Sequence, residues 1–269
     1  MKKLNVSAKS RGVVLFAFNT SAVDYVQIAE QAARLVHHTL NLPVTLVTDR
    51  NLVTAHVDHT VVVENTLKNV RKGYANLTPW RNGDRYQAYV LSPYDETILI
   101  DSDYLMLDQS LITVIDTCTD YQIMHTNRYL TKPSPQLIDS TSIDQVWATA
   151  IVFKRTDKSQ QLFNLVGRIQ RNYDYYRKLY NIRASNFRND FAFAIANNIL
   201  NGYNKGNMIP WSMLTAENSI TGIELIDNSL VVREADRAHI VPKQNLHIID
   251  KDYLMSTKFK QFVDSLCQD

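Results

Sequence analysis

Glu96-Thr97-Ile98-Leu99-Ile100-Asp101-Ser102-Asp103-Tyr104-Leu105-Met106 is the stretch on which the reading of this chain turns. The continuous apolar run from Thr97 to Ile100 predicts a short strand covered on both faces. That strand delivers two carboxylates, one residue apart, at its carboxyl end. In extended backbone residues i and i+2 point the same way, so the two acids repel and lose hydration together. A divalent cation between them removes the conflict. Mg²⁺ and Mn²⁺ favour such hard oxygen ligands and bridge readily to substrate phosphates. The competing reading is an acidic turn that binds nothing.

The residues upstream alternate between strand and helix patterns. Gly12-Val13-Val14-Leu15-Phe16-Ala17-Phe18 is a second continuous apolar run and predicts another buried strand. Asn19-Thr20-Ser21 suits a helix cap. Over residues 24–40, Tyr25, Ile28, Ala32, Leu35, Val36 and Leu40 recur at helical spacing, and Asn41-Leu42-Pro43 ends that helix. Val44–Thr48 predicts a strand ending at Asp49, Val61–Val63 a third, and Arg85–Leu91 a short helix. Strand–helix–strand with short connections implies parallel pairing and right-handed crossovers. The fold class is therefore α/β, with a mixed, mainly parallel central sheet flanked by helices. Ligands gather beyond the carboxyl ends of such strands, which draws Asn19, Thr20, Asp49, Asp101 and Asp103 toward one site. Asn, Thr and Asp also end strands because they suit turns, and that is the plain alternative for the first three.

A chain of 269 residues can bury a full core as one large α/β unit or two small ones. A net charge of +2 excludes a protein that attracts polyanions over its whole surface. The content of 45% hydrophobic and 21% charged residues, with only seven Gly and seven Pro, excludes a disordered or fibrous chain. Two cysteines far apart, Cys118 and Cys267, make neither a disulfide framework nor a zinc pattern, and suit a reducing compartment. The apolar run Val13–Phe18, behind Lys2, Lys3, Lys9 and Arg11, is too short for a signal-peptide core or a membrane span. The expectation is a cytoplasmic protein.

The alternating first half and the Ile100-Asp101-Ser102-Asp103 motif resemble nucleotide-sugar glycosyltransferases of the GT-A type. That resemblance implies a single domain over 1–269, with about 1–108 as the nucleotide-binding half and about 109–269 as the sugar and acceptor half. It implies a nucleotide diphosphate sugar, a UDP-sugar above all, as donor and Mn²⁺ or Mg²⁺ as cofactor, held by Asp101 and Asp103. The metal would neutralise the departing nucleoside diphosphate. The ends of the first two strands, Ala17, Phe18, Asn19 and Asp49, together with Ser102, would hold the nucleotide. Arg81 and Arg85, in Pro79-Trp-Arg-Asn-Gly-Asp-Arg-Tyr86, are the basic residues placed to touch the donor, or else solvated surface arginines. Family members add a histidine as third metal ligand and a lysine that touches the diphosphate. Asn245-Leu-His247-Ile-Ile-Asp250-Lys251 supplies both, with His239 as the competing histidine, although the family's usual Gly and Lys-Pro-Trp are absent.

In the second half, Val146–Phe153 reads as a strand, and the resemblance places Trp147 and Thr149 against sugar or acceptor; the alternative for Trp147 is core packing. Phe187-Arg188-Asn189-Asp190-Phe191 opens an apolar helix. Asp190 either compensates the helix dipole or takes the family's acidic position beside the sugar, deprotonating the acceptor in inverting enzymes and positioning the sugar in retaining ones. Asn189 joins it at the sugar. Residues 154–188 hold nine Lys or Arg against two Asp, hence +7, with Tyr173, Tyr175, Tyr176 and Tyr180 interleaved. Arg171, Arg177 and Lys178 are candidate polyanion contacts, or the solvated face of a helix whose tyrosines pack inward.

Arg81–Tyr86, Leu91–Thr97 and Phe187–Phe193 also resemble uncharacterised transferase-like proteins of bacteriophages. This implies a hydroxymethyl-type base in phage DNA as acceptor and the host cytoplasm as location; a glycan or protein hydroxyl is the competing acceptor. Two other classes compete. Haloacid-dehalogenase phosphatases also place Asp-x-Asp after an apolar strand, but near the N-terminus and with other residues following. A non-catalytic nucleic-acid-binding protein has no need of a paired-acid metal site.

Overall fold

The structure is a computed structural model and describes residues 10–51, 54–64, 70–72, 77–79, 81–132, 136–217 and 219–267. In chain order the first elements are β1 (Arg11–Phe16), α1 (Tyr25–Leu40), β2 (Val44–Thr48), β3 (His59–Val62), β4 (Val70–Lys72) and β5 (Leu77–Pro79). A 3₁₀ helix (Arg81–Gln87) leads into α2 (Ala88–Leu91), β6 (Glu96–Asp101), β7 (Tyr104–Leu105), α3 (Ser110–Thr117), β8 (Tyr121–Tyr129) and β9 (Trp147–Lys154). Then follow α4 (Asp157–Arg171), α5 (Tyr173–Leu179), α6 (Asn189–Leu200), β10 (Met208–Ala216), β11 (Ile220–Ile226), β12 (Ser229–Glu234), β13 (Ala238–Pro242), β14 (Leu246–Ile248), α7 (Lys251–Leu254) and α8 (Thr257–Leu266).

Nine strands form one sheet in the order β3-β2-β1-β6-β9-β8-β10-β14-β7. β3, β2, β1 and β6 are parallel neighbours, as are β8, β10 and β14; β9 is antiparallel to both β6 and β8, and β7 to β14. The mainly parallel α/β expectation therefore holds. The strand Val146–Phe153 of the sequence reading is β9, and it reverses direction in the middle of the sheet. From β1 the chain builds β2 and β3 on one side and β6 on the other, so a topological switch point lies between β1 and β6.

The apolar runs form strands because both faces are covered. Along β1, Val14 and Phe16 enter a core shared with α4 and α6, while Val13 and Leu15 enter one shared with α1 and α3. A third core lies under α8 and the separate antiparallel sheet β11-β12-β13, an element the sequence pattern does not announce. Helix α1 also begins later than Asn19-Thr20-Ser21 suggests. Asp24 is the cap, accepting from the Gln27 N–H at 3.0 Å. Asn19 braces that cap, donating to Asp24 at 2.8 Å and accepting from Val26 N–H at 2.9 Å. The helix ends at Asn41, which adopts the left-handed conformation (φ 51°). Among the described residues no helix is long and apolar enough to cross a membrane.

Charge pins the start of β6. Glu96 lies opposite Arg11 on β1 and Lys154 on β9, accepts from Arg11 Nη2 at 2.5 Å and stands 3.4 Å from Lys154 Nζ. Burial raises the Glu96 carboxyl, but Arg11 and Lys154 overcome that and hold it below the ordinary carboxylate range. A carboxyl lowered in the folded state contributes stability above its unfolded pKa of about 4.3 and loses it as pH falls through the lowered value. Glu96→Gln should therefore cost about 1–3 kcal/mol at pH 7. In urea titrations the gap to wild type should close toward pH 3; a gap that stays constant with pH would remove the charge from this account.

Candidate active site

The paired acids emerge where β6 leaves the sheet, with Asp101 opposite Phe16 of β1. Ala17 and Phe18 continue β1 just beyond that level and are buried, as is Ser102. Arg85 reaches Asp101 from the 3₁₀ helix. Gly167 of α4 lets that helix approach: a Cβ there would lie 2.7 Å from the Tyr86 ring. Arg85 is 1% exposed; it donates through Nη1 to Asp101 Oδ1 at 2.7 Å and through Nη2 to the Thr149 carbonyl at 3.4 Å. Burial nonetheless pushes the Asp101 carboxyl above its ordinary value, with Arg85 pulling it back and Asp103 adding to the rise.

Asp103 has the opposite balance. Burial acts to raise it, but the Lys251 ammonium holds it well below the ordinary range. Lys251 Nζ donates to Asp103 Oδ2 at 2.5 Å and to the carbonyls of Ile248 and Ile249 at 3.2 and 3.1 Å, which uses all three of its protons. Burial works against the ammonium, and Asp103 outweighs it, so Lys251 sits above its ordinary value. Tyr25 of α1 lies in the same field: burial raises its hydroxyl, Lys251 opposes and both aspartates reinforce.

His247 arrives on β14, opposite Tyr104 of β7 and Thr215 of β10. Its Nε2 is 3.6 Å from Asp103 Oδ1, too far for a hydrogen bond. Asp103 Oδ1 is buried and has no hydrogen-bond partner. His239, the competing histidine, lies on β13 in the separate sheet, 3.3 Å from Glu234.

On the far wall, Asp190 lies in the first turn of α6 but does not cap it. Its Oδ1 accepts from the Ala148 N–H of β9 at 2.9 Å, and its Oδ2 accepts from Arg188 Nη2 at 2.8 Å and Nε at 3.2 Å. The Arg188 guanidinium stands over the Trp147 ring at 5.9 Å and the Phe191 ring at 5.5 Å. Asn189 Nδ2 donates to the Asn82 carbonyl at 2.9 Å.

Arg85, Asp101, Trp147, Thr149, Asn189, Asp190 and His247, all picked out in the sequence, line one cleft of about 200 Å³. Asn82, Ala148 and Arg188 complete it. The signal for Asn82 and Arg188 was their place inside the two polar motifs already quoted; Ala148 contributes backbone, which no residue type announces. Asp103 and Lys251 do not line the cleft. Asp49 ends β2 with its carboxylate 3.5 Å from Arg50, and Asn19 is engaged at the start of α1; neither lines the cleft. The Arg81 backbone opens the 3₁₀ helix, and its side chain lies outside the described residues. Arg171 is exposed at the end of α4, and Arg177 and Lys178 pair with Asp174 at 2.5 and 2.7 Å on α5. These three do not line the cleft either.

No protein-family model and no curated protein matches the sequence. Solved structures that match the course of the chain include a glycosyltransferase, GlyE of Streptococcus pneumoniae TIGR4, at 9% identity and a TM-score of 0.41, over 75% of this chain and 45% of that one. Another is the galactosyltransferase LgtC in complex with donor and acceptor sugar analogs, at 10% identity and a TM-score of 0.48, over 77% of this chain and 73% of that one. An active-site mutant of LgtC matches at 11% identity and a TM-score of 0.48, over the same shares of the two chains, 77% and 73%. The chain thus spans less than half the length of GlyE. At these levels no chemistry transfers from one chain to the other.

The Arg85–Asp101 pair is the part of the site most open to energetic measurement. Arg85→Met should destabilise the fold by roughly 2–4 kcal/mol, because it strands a largely buried carboxylate. Asp101→Asn in the same background should recover part of that loss. A double-mutant cycle in urea with no coupling between the two positions would mean that the pair does not hold.

Proposed function

We propose that this chain is a glycosyltransferase of the GT-A type that moves a sugar from a nucleotide diphosphate donor, a UDP-sugar, to a hydroxyl acceptor. The observation that carries this reading is a set of unpartnered polar atoms on the cleft residues. Arg85 Nε and Trp147 Nε1 are buried donors without acceptors, and Asn82 Oδ1 and Asn189 Oδ1 are buried acceptors without donors. Buried polar groups carry a cost of about 1–3 kcal/mol each until they are bonded. A sugar ring answers both kinds, since each hydroxyl gives one proton and accepts through two lone pairs. The cleft's volume of about 200 Å³ lies below the ~300–1,000 Å³ usual for drug-sized ligands. It suits one ring, with the nucleotide outside it toward Ala17, Phe18, Asn19, Asp49 and Ser102. Residues of the first half, about 1–108, then hold the nucleotide, and the remainder holds sugar and acceptor.

The acid pair fits a divalent cation. Arg85 occupies Asp101 Oδ1 and Lys251 occupies Asp103 Oδ2, which leaves one oxygen on each aspartate, and Asp103 Oδ1 is an orphan facing His247 Nε2. Among the described residues no three His, Cys, Asp or Glu side chains converge as a closed ligand set. A Mn²⁺ or Mg²⁺ ion held there would take its remaining ligands from substrate phosphates and water. When bound, the metal would supply charge neutralisation for the departing diphosphate.

The protein's own groups do the rest. Arg85 fixes Asp101, Trp147 and Thr149 border the ring, and Asp190, steadied by Arg188 and Ala148 N–H, keeps a second lone pair on each oxygen to position the sugar or accept an acceptor proton. A hydroxylated DNA base as acceptor would rely on Arg171, Arg177 and Lys178. Asp174 engages the last two, so a glycan or protein hydroxyl is the better-supported acceptor. Two free cysteines suit the cytoplasm.

Thermal melting tests the reading. UDP with Mn²⁺, at about 100 times Kd, should raise the melting temperature by roughly 5 °C, and either component alone by much less. Asp103→Asn leaves the Lys251 ammonium without its counter-charge, so it should melt a few degrees below wild type without ligand and lose the shift on adding UDP and Mn²⁺. A wild-type protein indifferent to the two together would overturn the proposal.

A further inference from the structure

The proposed metal site depends on which nitrogen of His247 carries the proton, and two residues behind the ring decide that. Asn127 on β8, Thr215 on β10 and His247 on β14 stand on three adjacent parallel strands, with Thr215 directly opposite His247. All three are buried, at 2%, 0% and 8% exposure. Thr215 Oγ1 lies 2.5 Å from Asn127 Oδ1 and 3.2 Å from His247 Nδ1.

The direction of each bond follows from the inventory of protons. An amide oxygen only accepts, so the single Thr215 hydroxyl proton goes to Asn127. Toward His247 the hydroxyl then offers only a lone pair, and a bond there requires the proton on Nδ1. In the neutral ring Nε2 is thereby left with its lone pair, facing the orphaned Asp103 Oδ1. Two lone pairs facing each other in a buried setting repel, unless a cation stands between them.

We propose that Asn127 and Thr215 are positioning residues that lock His247 in the Nδ1–H tautomer and so keep Nε2 ready as a ligand for the divalent cation. This rests on the metal reading given above. It assigns a role to two residues outside the cleft, acting through the ring and touching no substrate.

The test uses the full chain with ¹⁵N-labelled histidine. Long-range ¹H–¹⁵N spectra of the metal-free protein should show the Nδ1–H form for His247 in wild type and in Thr215→Ser, which keeps the hydroxyl. Thr215→Val, close in shape but without the hydroxyl, should shift the ring to a mixture or to Nε2–H. Mn²⁺ affinity, read by electron paramagnetic resonance at a fixed UDP concentration, should fall about 10–100-fold in Thr215→Val and stay near wild type in Thr215→Ser. A wild-type ring protonated on Nε2 overturns the inference. So does unchanged Mn²⁺ affinity in Thr215→Val when His247→Ala binds weakly; there the metal reading stands and this inference alone falls. If His247→Ala itself binds Mn²⁺ as wild type does, His247 is no ligand and both fall together.

Discussion

Two half-buried acids at the end of one strand form the constraint around which this molecule is organised. Side by side in a setting of low dielectric, Asp101 and Asp103 are costly to ionise. The chain meets the cost with partners from distant segments. Arg85 comes from the 3₁₀ helix before the strand, and His247 and Lys251 come from the C-terminal segment, 148 residues beyond Asp103 in the case of Lys251. β7, which begins at Tyr104 directly after Asp103, pairs with β14, and the Ile248 N–H donates to the Asp103 carbonyl at 2.9 Å. The same few residues thus join the sheet's edge and compensate its charge. The sheet itself passes from the first half of the chain to the second through the β6–β9 pairing.

The position of the cleft follows from the sheet. β6 is paired with parallel β1 on one side and antiparallel β9 on the other. Its carboxyl end therefore meets the end of β1 and the beginning of β9. One neighbour offers the buried Ala17 and Phe18, and the other offers Trp147, the Ala148 N–H and the Thr149 carbonyl. The reversal at β9 turns a strand end into a cleft with walls from both halves of the chain.

What the sequence could disclose was what local pattern carries. Continuous apolar runs marked β1, β2 and β6, and helical spacing marked α1, because each reports burial through neighbours a few residues apart. The cap of α1 was misplaced by a few residues: Asn19, Thr20 and Asp24 are all capping residues, and only the fold shows that Asp24 takes the cap while Asn19 braces it. His239 and His247 looked alike, each on an extended apolar segment. Strand register separated them, placing one beside Glu234 and the other beside Asp103. Asn127 and Thr215 carried no signal at all, because their meeting depends on three strands lying in register. The net count of +7 over 154–188 already includes Asp174, which lies one helical turn before Arg177 and Lys178 and engages both, a contact that helical spacing does make legible.

The cleft is flanked by two acid–base pairs, Arg85–Asp101 and Arg188–Asp190. Stability alone is a poor reason for either: well-packed apolar residues often do as well as the largely buried Arg85–Asp101 pair, and an ion pair with an arginine as exposed as Arg188 contributes little. Their value lies in what is already fixed before a ligand arrives. Arg85 cannot swing, being buried and shared between Asp101 and the Thr149 carbonyl; Asp190 cannot swing either, with one oxygen on a strand N–H and the other on a guanidinium that rests over two rings. Water around a free carboxylate would have to reorient as charge moves during the proposed transfer. These groups hold their dipoles in place throughout, and a site that does not reorganise lowers a barrier where a mobile one would not. The orphaned atoms on Arg85, Trp147, Asn82 and Asn189 carry the same logic to the substrate. None of the four has a partner within the protein, so the proposed sugar could bond them without breaking a contact of the fold.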